Sequence, residues 1–178
     1  MNSRVIFITG GARSGKSSLA LKPAFMCAGK KAYIATAEPL DSEMLDRIER
    51  HKAQRGDGWD VIEEPLKITD VIEKIINKYT LIVLDCLTLW VSNLMTGGHD
   101  DANIEEEYKS FIKVLNLFKR TDGSQLIIVS NEIGMGIVPD NPLARRFRDQ
   151  AGKLNQIVAK TADEVYLVVS GIPVRIKG

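Results

Sequence analysis

The sequence predicts an α/β fold with a mostly parallel central sheet, helices on both of its faces and a short C-terminal hairpin. Short runs rich in β-branched and apolar residues alternate with longer segments of helical periodicity, the pattern typical of parallel sheets. The first such run, Val5–Thr9, leads directly into a glycine-rich octapeptide and then into a helix-like segment. With 178 residues, the chain is expected to form one domain, residues 1–178, with a sizeable core.

The octapeptide Gly10-Gly11-Ala12-Arg13-Ser14-Gly15-Lys16-Ser17 fits the phosphate-binding pattern G-x-x-x-x-G-K-[ST] without a mismatch. Glycines can adopt backbone angles closed to other residues, so that successive N–H groups point at an anion. Lys16 supplies charge for the outer phosphates, the Ser17 hydroxyl can ligate Mg²⁺, and the following helix adds its positive end. A glycine-rich turn is the alternative, but the position between a strand and a helix favours a nucleotide site like that of P-loop NTPases.

The residues after this loop alternate between helical and strand patterns. Apolar residues at helical spacing mark the helices, and short apolar runs bounded by turn residues mark the strands. Pro23 should kink or shorten the first helix, and a polar loop is expected at 96–103. In order, the predicted elements are helix 18–28, strand 32–36, helix 41–54, a short strand 59–63, helix 69–78, strand 81–85, helix 88–95, helix 104–119, strand 126–130, a helix over 143–158, strand 165–169 and a final strand ending near Ile176.

Ligands of mostly parallel sheets bind at the carboxyl ends of the strands. Right-handed crossovers between the strands bring these ends together at one edge. The candidate site residues should therefore lie in the segments predicted at that edge, which are 10–17, 35–38, 85–88, 130–139 and 170–171.

Asp85 follows four apolar residues at the end of a predicted strand. A carboxylate in this position of a P-loop protein holds Mg²⁺, usually through water or the hydroxyl of the loop, here Ser17. The alternative is that Asp85 caps the helix that begins near Leu87.

The two histidines differ in their surroundings. His51 lies on a helix dense with cations, which physical grounds alone assign more readily to a solvated face. The other interpretation is an imidazole nucleophile whose basic neighbours receive a triphosphate. His99 lies in a polar loop, where a solvated role is expected.

Asn131–Pro139 combines two glycines with polar side chains at a strand end. Its position indicates a substrate loop, with a flexible connection as the alternative. Arg145, Arg146 and Arg148 follow, and could face an anionic substrate or water.

Composition excludes several classes of function. A formal net charge of +1 gives no basic field, so nucleic-acid binding has no support. The two cysteines, Cys27 and Cys86, are far apart in the sequence, which suits buried thiols in a reducing cytoplasm. The first apolar run is too short for a signal peptide or a membrane span.

Several stretches together resemble one family, and the resemblance covers essentially the whole chain. The family is the bifunctional adenosylcobinamide kinase/adenosylcobinamide-phosphate guanylyltransferase of cobalamin biosynthesis. The most specific stretch is Asn131–Pro139 with Arg145-x-Phe147-Arg148-Asp149. The others are Gly10–Ser17, Tyr33–Ala37, Arg47-Ile48-x-x-His51-Lys52, Trp59 with Glu63–Leu66, and Val168–Gly171.

The resemblance implies two reactions at one nucleotide site. First, ATP or GTP phosphorylates the aminopropanol hydroxyl of adenosylcobinamide. Next, GTP guanylylates a histidine with release of pyrophosphate, and the GMP passes to adenosylcobinamide phosphate to give adenosylcobinamide-GDP. The guanylylated histidine of the family falls on His51, which together with Lys16 is the expected catalytic pair.

The resemblance also implies the nucleotide and metal contacts. Mg²⁺ would be held by Ser17 and Asp85. The nucleotide contacts carry over to Gly10, Gly11, Ala12, Arg13, Ser14, Gly15, Lys16, Ser17, Ala35, Thr36, Ala37, Lys52, Ala53, Gln54, Arg55, Glu63 and Asp85.

The resembled family is trimeric, which implies a homotrimer. As stated above, the charge and the short apolar run predict no nucleic-acid partner and no membrane span. A short chain with a corrinoid-sized substrate would also gain from a pocket built between subunits. Two other functions compete with this one. A P-loop small-molecule kinase without a guanylyl step would leave His51 as a surface residue. A GTP-dependent switch has less support, because the sequence has no N-K-x-D motif for reading guanine.

Overall fold

The structure, a computed structural model, describes residues 3–39 and 41–178. Six α-helices and seven strands are found there, with a short 3-10 helix at Lys22–Met26. In chain order they are β1 (Arg4–Gly10), α1 (Lys16–Leu21), β2 (Lys31–Ala35), α2 (Ser42–Arg55), β3 (Asp60–Glu63), α3 (Ile68–Ile75), β4 (Leu81–Asp85), α4 (Leu87–Thr96), α5 (Asp101–Phe118), β5 (Gln125–Asn131), α6 (Pro142–Thr161), β6 (Glu164–Val169) and β7 (Ile172–Lys177).

The strands form one sheet in the order β3-β2-β4-β5-β1-β6-β7. All neighbouring pairs are parallel except β6 and β7, which form an antiparallel hairpin. The predicted α/β fold with its C-terminal hairpin is therefore confirmed. Strand β5 lies between β1 and β4, and the register places Gly10 beside Asn131 and Asp85 beside Val129. This register brings the ends of β1, β5 and β4 together at the edge where ligands of parallel sheets bind.

Both faces of the sheet are covered, but unequally. Helices α3, α4, α5 and α6 pack on one face around fully buried Trp90, Tyr108 and Phe111. Helix α1 and the 3-10 helix cover a smaller core on the other face. Trp90 donates its indole N–H to the carbonyl of Leu66 at 2.8 Å, so the largest core side chain has no unpaired polar atom.

Several predicted boundaries were wrong, for local reasons. The first helix does not reach residue 28, because Pro23 falls at the start of a 3-10 helix and α1 ends before it. Helix α3 ends at Ile75, before the predicted residue 78. The expected polar loop 96–103 is shorter, since the Asp100 carboxylate accepts from the Asn103 amide and starts α5 at Asp101.

Helix α2 lies outside the core. It begins at the N-cap Asp41, whose carboxylate accepts from the Met44 amide at 2.7 Å, and it contains no buried residue. Its cations and its single histidine therefore lie on a helix that the hydrophobic core does not fix. Met44 and Ile48 are the half-buried apolar residues on its inner side.

Thr36 ties the end of β2 to the end of β4. Its hydroxyl accepts from the Cys86 amide and donates to the Cys86 carbonyl, both at 2.8 Å, and the residue is fully buried. We predict that Thr36→Val lowers the free energy of unfolding by about 2 kcal/mol, because it leaves a buried amide unpaired. Urea denaturation measures this loss. Thr36→Ser, which keeps the hydroxyl, should lose less, and equal stability of the valine variant and the wild type would contradict this role.

Candidate active site

The loop after β1 has the geometry of a phosphate cradle. Gly10 and Gly15 have φ angles of 155° and 98°, which side-chain-bearing residues rarely adopt. A Cβ atom at Gly10 would lie 2.4 Å from the Val168 carbonyl oxygen. The Gly171 amide closes the loop from behind by donating to the Ser14 carbonyl at 2.9 Å. The conformation of this loop therefore depends on its glycines and on its hydrogen bond to the turn after β6.

Lys16 lies inside the loop and is buried. Its ammonium group donates to the Gly11 carbonyl at 2.6 Å and approaches the Ser14 hydroxyl at 3.4 Å. Burial lowers the pKa of this ammonium group, while the neighbouring Cys86 and Asp85 raise it and Arg47 lowers it. The amine is thus held by oxygen atoms of the loop, at the place where phosphate oxygens would bind.

Asp85 is held by a tyrosine and faces the histidine of α2. The Tyr33 hydroxyl donates to Oδ2 of Asp85 at 2.7 Å, and Nδ1 of His51 lies 3.9 Å from the same oxygen. Asp85 does not cap α4, because the residue in the N-cap position is Cys86. Burial, followed by the Asp85 carboxylate, raises the pKa of Tyr33, so its hydroxyl remains a donor.

Two cavities meet at this point. The loop cavity is lined by residues 12–18, by Asn131 and by one side of α2, including Gln54. The apolar cavity lies between α2 and the ends of β2 and β3, with Ala35, Ala37 and Glu63 in its wall. Four residues line both cavities and define their junction: Arg47, His51, Asp85 and Cys86.

The aromatic wall of the apolar cavity is formed by the ring of Tyr33. The Arg55 guanidinium lies 4.4 Å from the centre of the Tyr33 ring, and Trp59 packs edge-on against the same ring at 5.9 Å. Lys52 lies 3.6 Å from both Glu49 and Glu63 at the rim. A flat apolar ring with polar edges would fit such a cavity.

The predicted nucleotide contacts are therefore largely brought together, with four exceptions. The side chain of Thr36 is used inside the protein, as described above. Gly10 and Gly11 belong to the cradle but do not line a cavity, and Ala53 lies on the exposed side of α2. Tyr33 and Arg47 were missed as individual site residues. A tyrosine in an otherwise apolar strand was the available signal for the first, since a buried hydroxyl needs a partner.

The donor set at the loop cavity suits magnesium. Ser17 and Asp85 both line it, and Mg²⁺ binds hard oxygen ligands through one or two protein groups plus the phosphates of a substrate. Within residues 3–39 and 41–178, no group of three or more His, Cys, Asp or Glu residues could hold a metal by itself. A metal here would therefore depend on a bound nucleotide for its remaining ligands.

The loop after β5 is braced by two arginines. Arg148 donates to the Gly134 carbonyl at 2.7 Å, and Arg145 donates to the Pro139 carbonyl at 2.9 Å. Arg146 instead forms an ion pair with Asp101 at 2.8 Å. The two interpretations for these arginines were contact with an anionic substrate and exposure to water, and the internal contacts instead indicate a structural role.

His99 also has internal contacts. Its Nδ1 lies 3.1 Å from the Leu94 carbonyl oxygen, and its own carbonyl accepts from Arg146 at 3.2 Å. The ring is half-buried, so it is partly held by the protein rather than fully solvated. It lies just after the end of α4 and outside both cavities.

Comparison with known proteins gives one consistent family. The family model described as cobinamide kinase/cobinamide phosphate guanyltransferase matches residues 6–176. The bifunctional adenosylcobalamin biosynthesis protein CobU of Escherichia coli K12 is 40% identical over 181 residues, covering 97% of this chain and 99% of that protein. The CobU protein of Salmonella typhimurium is 42% identical with the same coverage. CobP of Pseudomonas aeruginosa is 38% identical and covers 96% of both chains.

Solved structures show the same fold at low sequence identity. The RadB recombinase aligns with a TM-score of 0.58 and 15% identity, covering 92% of this chain and 73% of its own. An ATPase of a bacterial type III secretion system aligns with a TM-score of 0.57 and 11% identity, covering 97% of this chain and 56% of its own. These likenesses confirm the P-loop NTPase-like fold. No helix among the described residues is long and apolar enough to cross a membrane.

We predict that Lys16→Ala lowers turnover of GTP and ATP by at least about 100-fold, because it removes the buried charge at the phosphate cradle. Turnover is measured as formation of the nucleoside diphosphate or release of pyrophosphate. Lys119→Ala is the matched control, since Lys119 pairs with Asp163 at 2.7 Å, beside the start of β1 and away from the cradle. Near-normal turnover of the Lys16→Ala protein would show that triphosphates bind elsewhere.

Proposed function

Because the chain belongs to the cobinamide kinase/cobinamide phosphate guanyltransferase family, we propose that it carries out both reactions at the site described above. It phosphorylates adenosylcobinamide with ATP or GTP and then transfers GMP from GTP to adenosylcobinamide phosphate. The observation that carries this proposal is the position of His51 at the junction of two cavities, one with a phosphate cradle and one with an aromatic wall. A GTP molecule laid across the junction would present its α-phosphate to the histidine.

In the first reaction, the loop cavity holds the triphosphate, and the cobinamide hydroxyl attacks the γ-phosphorus while its proton passes to water. The bond from the γ-phosphorus to the bridging oxygen breaks, and ADP or GDP leaves. The protein acts by positioning and by charge, with Lys16 and Arg13 next to the outer phosphates. No nucleophilic side chain is needed for this step. Ser17 and Asp85 would hold Mg²⁺, which supplies positive charge to the phosphate oxygens when bound.

In the second reaction, a ring nitrogen of His51 attacks the α-phosphorus of GTP and pyrophosphate leaves. The other ring nitrogen keeps its proton, so the guanylylated ring is positively charged and faces the Asp85 carboxylate, 3.9 Å from Nδ1 in the free protein. A phosphate oxygen of adenosylcobinamide phosphate then attacks the same phosphorus. The P–N bond breaks, and neutral His51 is restored.

Cys86 does not compete with His51 as the nucleophile. Burial raises the pKa of its thiol to about 11, with a further increase from Asp85. The thiol therefore remains protonated at neutral pH. The thiolate, which is the reactive form, is not available at the junction.

The corrinoid would bind at the exposed end of the loop after β5, next to the loop cavity. Met135, Ile137 and Val138 are largely exposed there, and Ile137 is 97% exposed. A second exposed apolar surface lies on the β6–β7 hairpin, at Val169, Ile172, Val174 and Ile176. Exposed apolar surface of this kind favours contact with a macrocycle or with another subunit. We therefore propose a homotrimer in which a neighbouring subunit completes the corrinoid pocket. The chain acts in this assembly as one nucleotide-binding domain of a cytoplasmic enzyme.

We predict that His51→Ala abolishes the covalent GMP adduct and lowers guanylyl transfer by at least about 1,000-fold. Phosphorylation of cobinamide should remain within about tenfold of the wild type, because it needs no nucleophilic imidazole. Incubation with α-³²P GTP and Mg²⁺ followed by denaturation measures the adduct, which should be labile in acid and stable in base.

His99→Ala is the matched control, since its ring lies outside both cavities. It should leave both reactions nearly unchanged. An adduct of full strength on the His51→Ala protein would contradict the assignment. A wild-type protein that phosphorylates cobinamide but never retains label would instead be a kinase without a guanylyl step.

We predict that Ile137→Asp raises the KM for cobinamide by about tenfold, because it places a charge on the apolar surface proposed for the corrinoid. Adduct formation from GTP should not change. The control Leu117→Asp makes the same type of change at an exposed residue of α5.

Sedimentation measures the oligomeric state of the protein, and a fully active monomer would contradict the proposed trimer.

A further inference from the structure

We propose that Arg47 is a further catalytic residue of the guanylyl transfer, binding the α-phosphate of GTP and the pyrophosphate that leaves it. The inference rests on the proposed function, since it assigns a partner to the phosphate group that His51 attacks. The sequence alone does not distinguish Arg47 from the other basic residues of α2.

The first observation is the position of Arg47 at the junction. It lines both the loop cavity and the apolar cavity, as only His51, Asp85 and Cys86 also do among the described residues. In GTP, the α-phosphate connects the nucleoside to the outer phosphates. A molecule that places its outer phosphates in the loop cavity and its base in the apolar cavity must therefore place its α-phosphate beside Arg47.

The second observation is the spacing of Arg47 and His51. They are four residues apart on α2, so they lie one turn apart on the same face of the helix. Arg47 also lines the loop cavity together with Lys16. A guanidinium in the wall of this cavity lies close to the phosphate path.

The third observation distinguishes Arg47 from the other cations of α2. Nε of Arg50 donates to the Asp46 carbonyl of its own helix at 3.1 Å. Lys52 is paired with Glu49 and Glu63, and Arg55 stacks on the Tyr33 ring. Within residues 3–39 and 41–178, the Arg47 guanidinium has no hydrogen bond and no ion pair. Among the α2 cations that the structure describes, Arg47 is the one that is neither hydrogen-bonded, ion-paired nor stacked on an aromatic ring.

The chemistry of the step calls for such a group. As the bond forms between the His51 nitrogen and the α-phosphorus, the bond from that phosphorus to the oxygen bridging to the β-phosphorus breaks. The electron pair of the broken bond goes to the departing pyrophosphate, and the ring proton of His51 stays in place. Negative charge therefore increases on the bridging oxygen, where a planar guanidinium can donate two parallel hydrogen bonds.

The test is single-turnover formation of the acid-labile GMP adduct from α-³²P GTP and Mg²⁺. Arg47→Met should lower its rate by about 100-fold, because it removes a charged donor used in the transition state. Arg47→Lys should recover part of the rate, since it restores the charge but not the planar pair of donors. GTP affinity, measured in the His51→Ala background where no adduct forms, should change by less than about fivefold.

Two further variants separate a specific contact from a general loss of charge. Arg120→Met makes the same change at an exposed arginine after α5 and should not alter the rate. Arg50→Met removes a neighbouring cation of the same helix and should have a much smaller effect than Arg47→Met. Equal effects of the two α2 substitutions would overturn the role of Arg47, because a diffuse positive field would then explain both.

The outcomes also separate this inference from the proposed function. A wild-type protein that forms no adduct would overturn the guanylyl transfer and the role of Arg47 with it. A wild-type adduct that forms equally fast on the Arg47→Met protein would overturn the role of Arg47 alone. Both measurements use the full chain, and Arg47 is exposed, so its substitution removes no core contact.

Discussion

The site depends on one carboxylate, that of Asp85 at the end of β4, which interacts with several neighbouring groups. Tyr33 holds it through a 2.7 Å hydrogen bond, and His51 approaches the same oxygen from α2. Its charge also raises the pKa of Lys16 against the effect of burial. A partly buried carboxylate is costly without such partners, so its placement constrains the residues around it. The same carboxylate borders both cavities at the junction.

Two different parts of the molecule form the candidate site: the edge of the sheet and the exposed helix α2. The phosphate loop, Asp85 and Asn131 end three adjacent strands, and their backbones are fixed by the ladder of β1, β5 and β4. Helix α2, in contrast, contributes no buried residue, so its position depends on the apolar cavity and on polar contacts at its inner side. Local opening costs least where few apolar contacts are made. In the proposed mechanism, the covalent chemistry would thus be carried by a helix that contributes no buried residue to the core.

The sequence was sufficient for features that depend on local rules. The phosphate loop, its flanking strand and helix, and the acid at the end of β4 all follow from glycine geometry and apolar runs. Contacts between distant segments were not accessible in this way. Arg145 and Arg148 donate hydrogen bonds to the loop that precedes them. The Thr36 hydroxyl bonds to Cys86, and the His99 ring contacts the Leu94 carbonyl of α4. Spacing along the chain does not specify which polar group will meet which carbonyl after folding.

The junction also explains how one nucleotide site could serve two reactions that differ in the phosphorus attacked. The outer phosphates would lie in the cradle, where Lys16 and backbone amides supply the charge, and attack at the γ-phosphorus needs no residue of α2. Attack at the α-phosphorus needs groups further along the nucleotide, at the boundary between the cavities, and α2 brings His51 and Arg47 there together. In the proposed mechanism, the second activity would therefore need no second binding site. It would need a reactive helix beside the α-phosphate, the phosphate next to those held in the cradle.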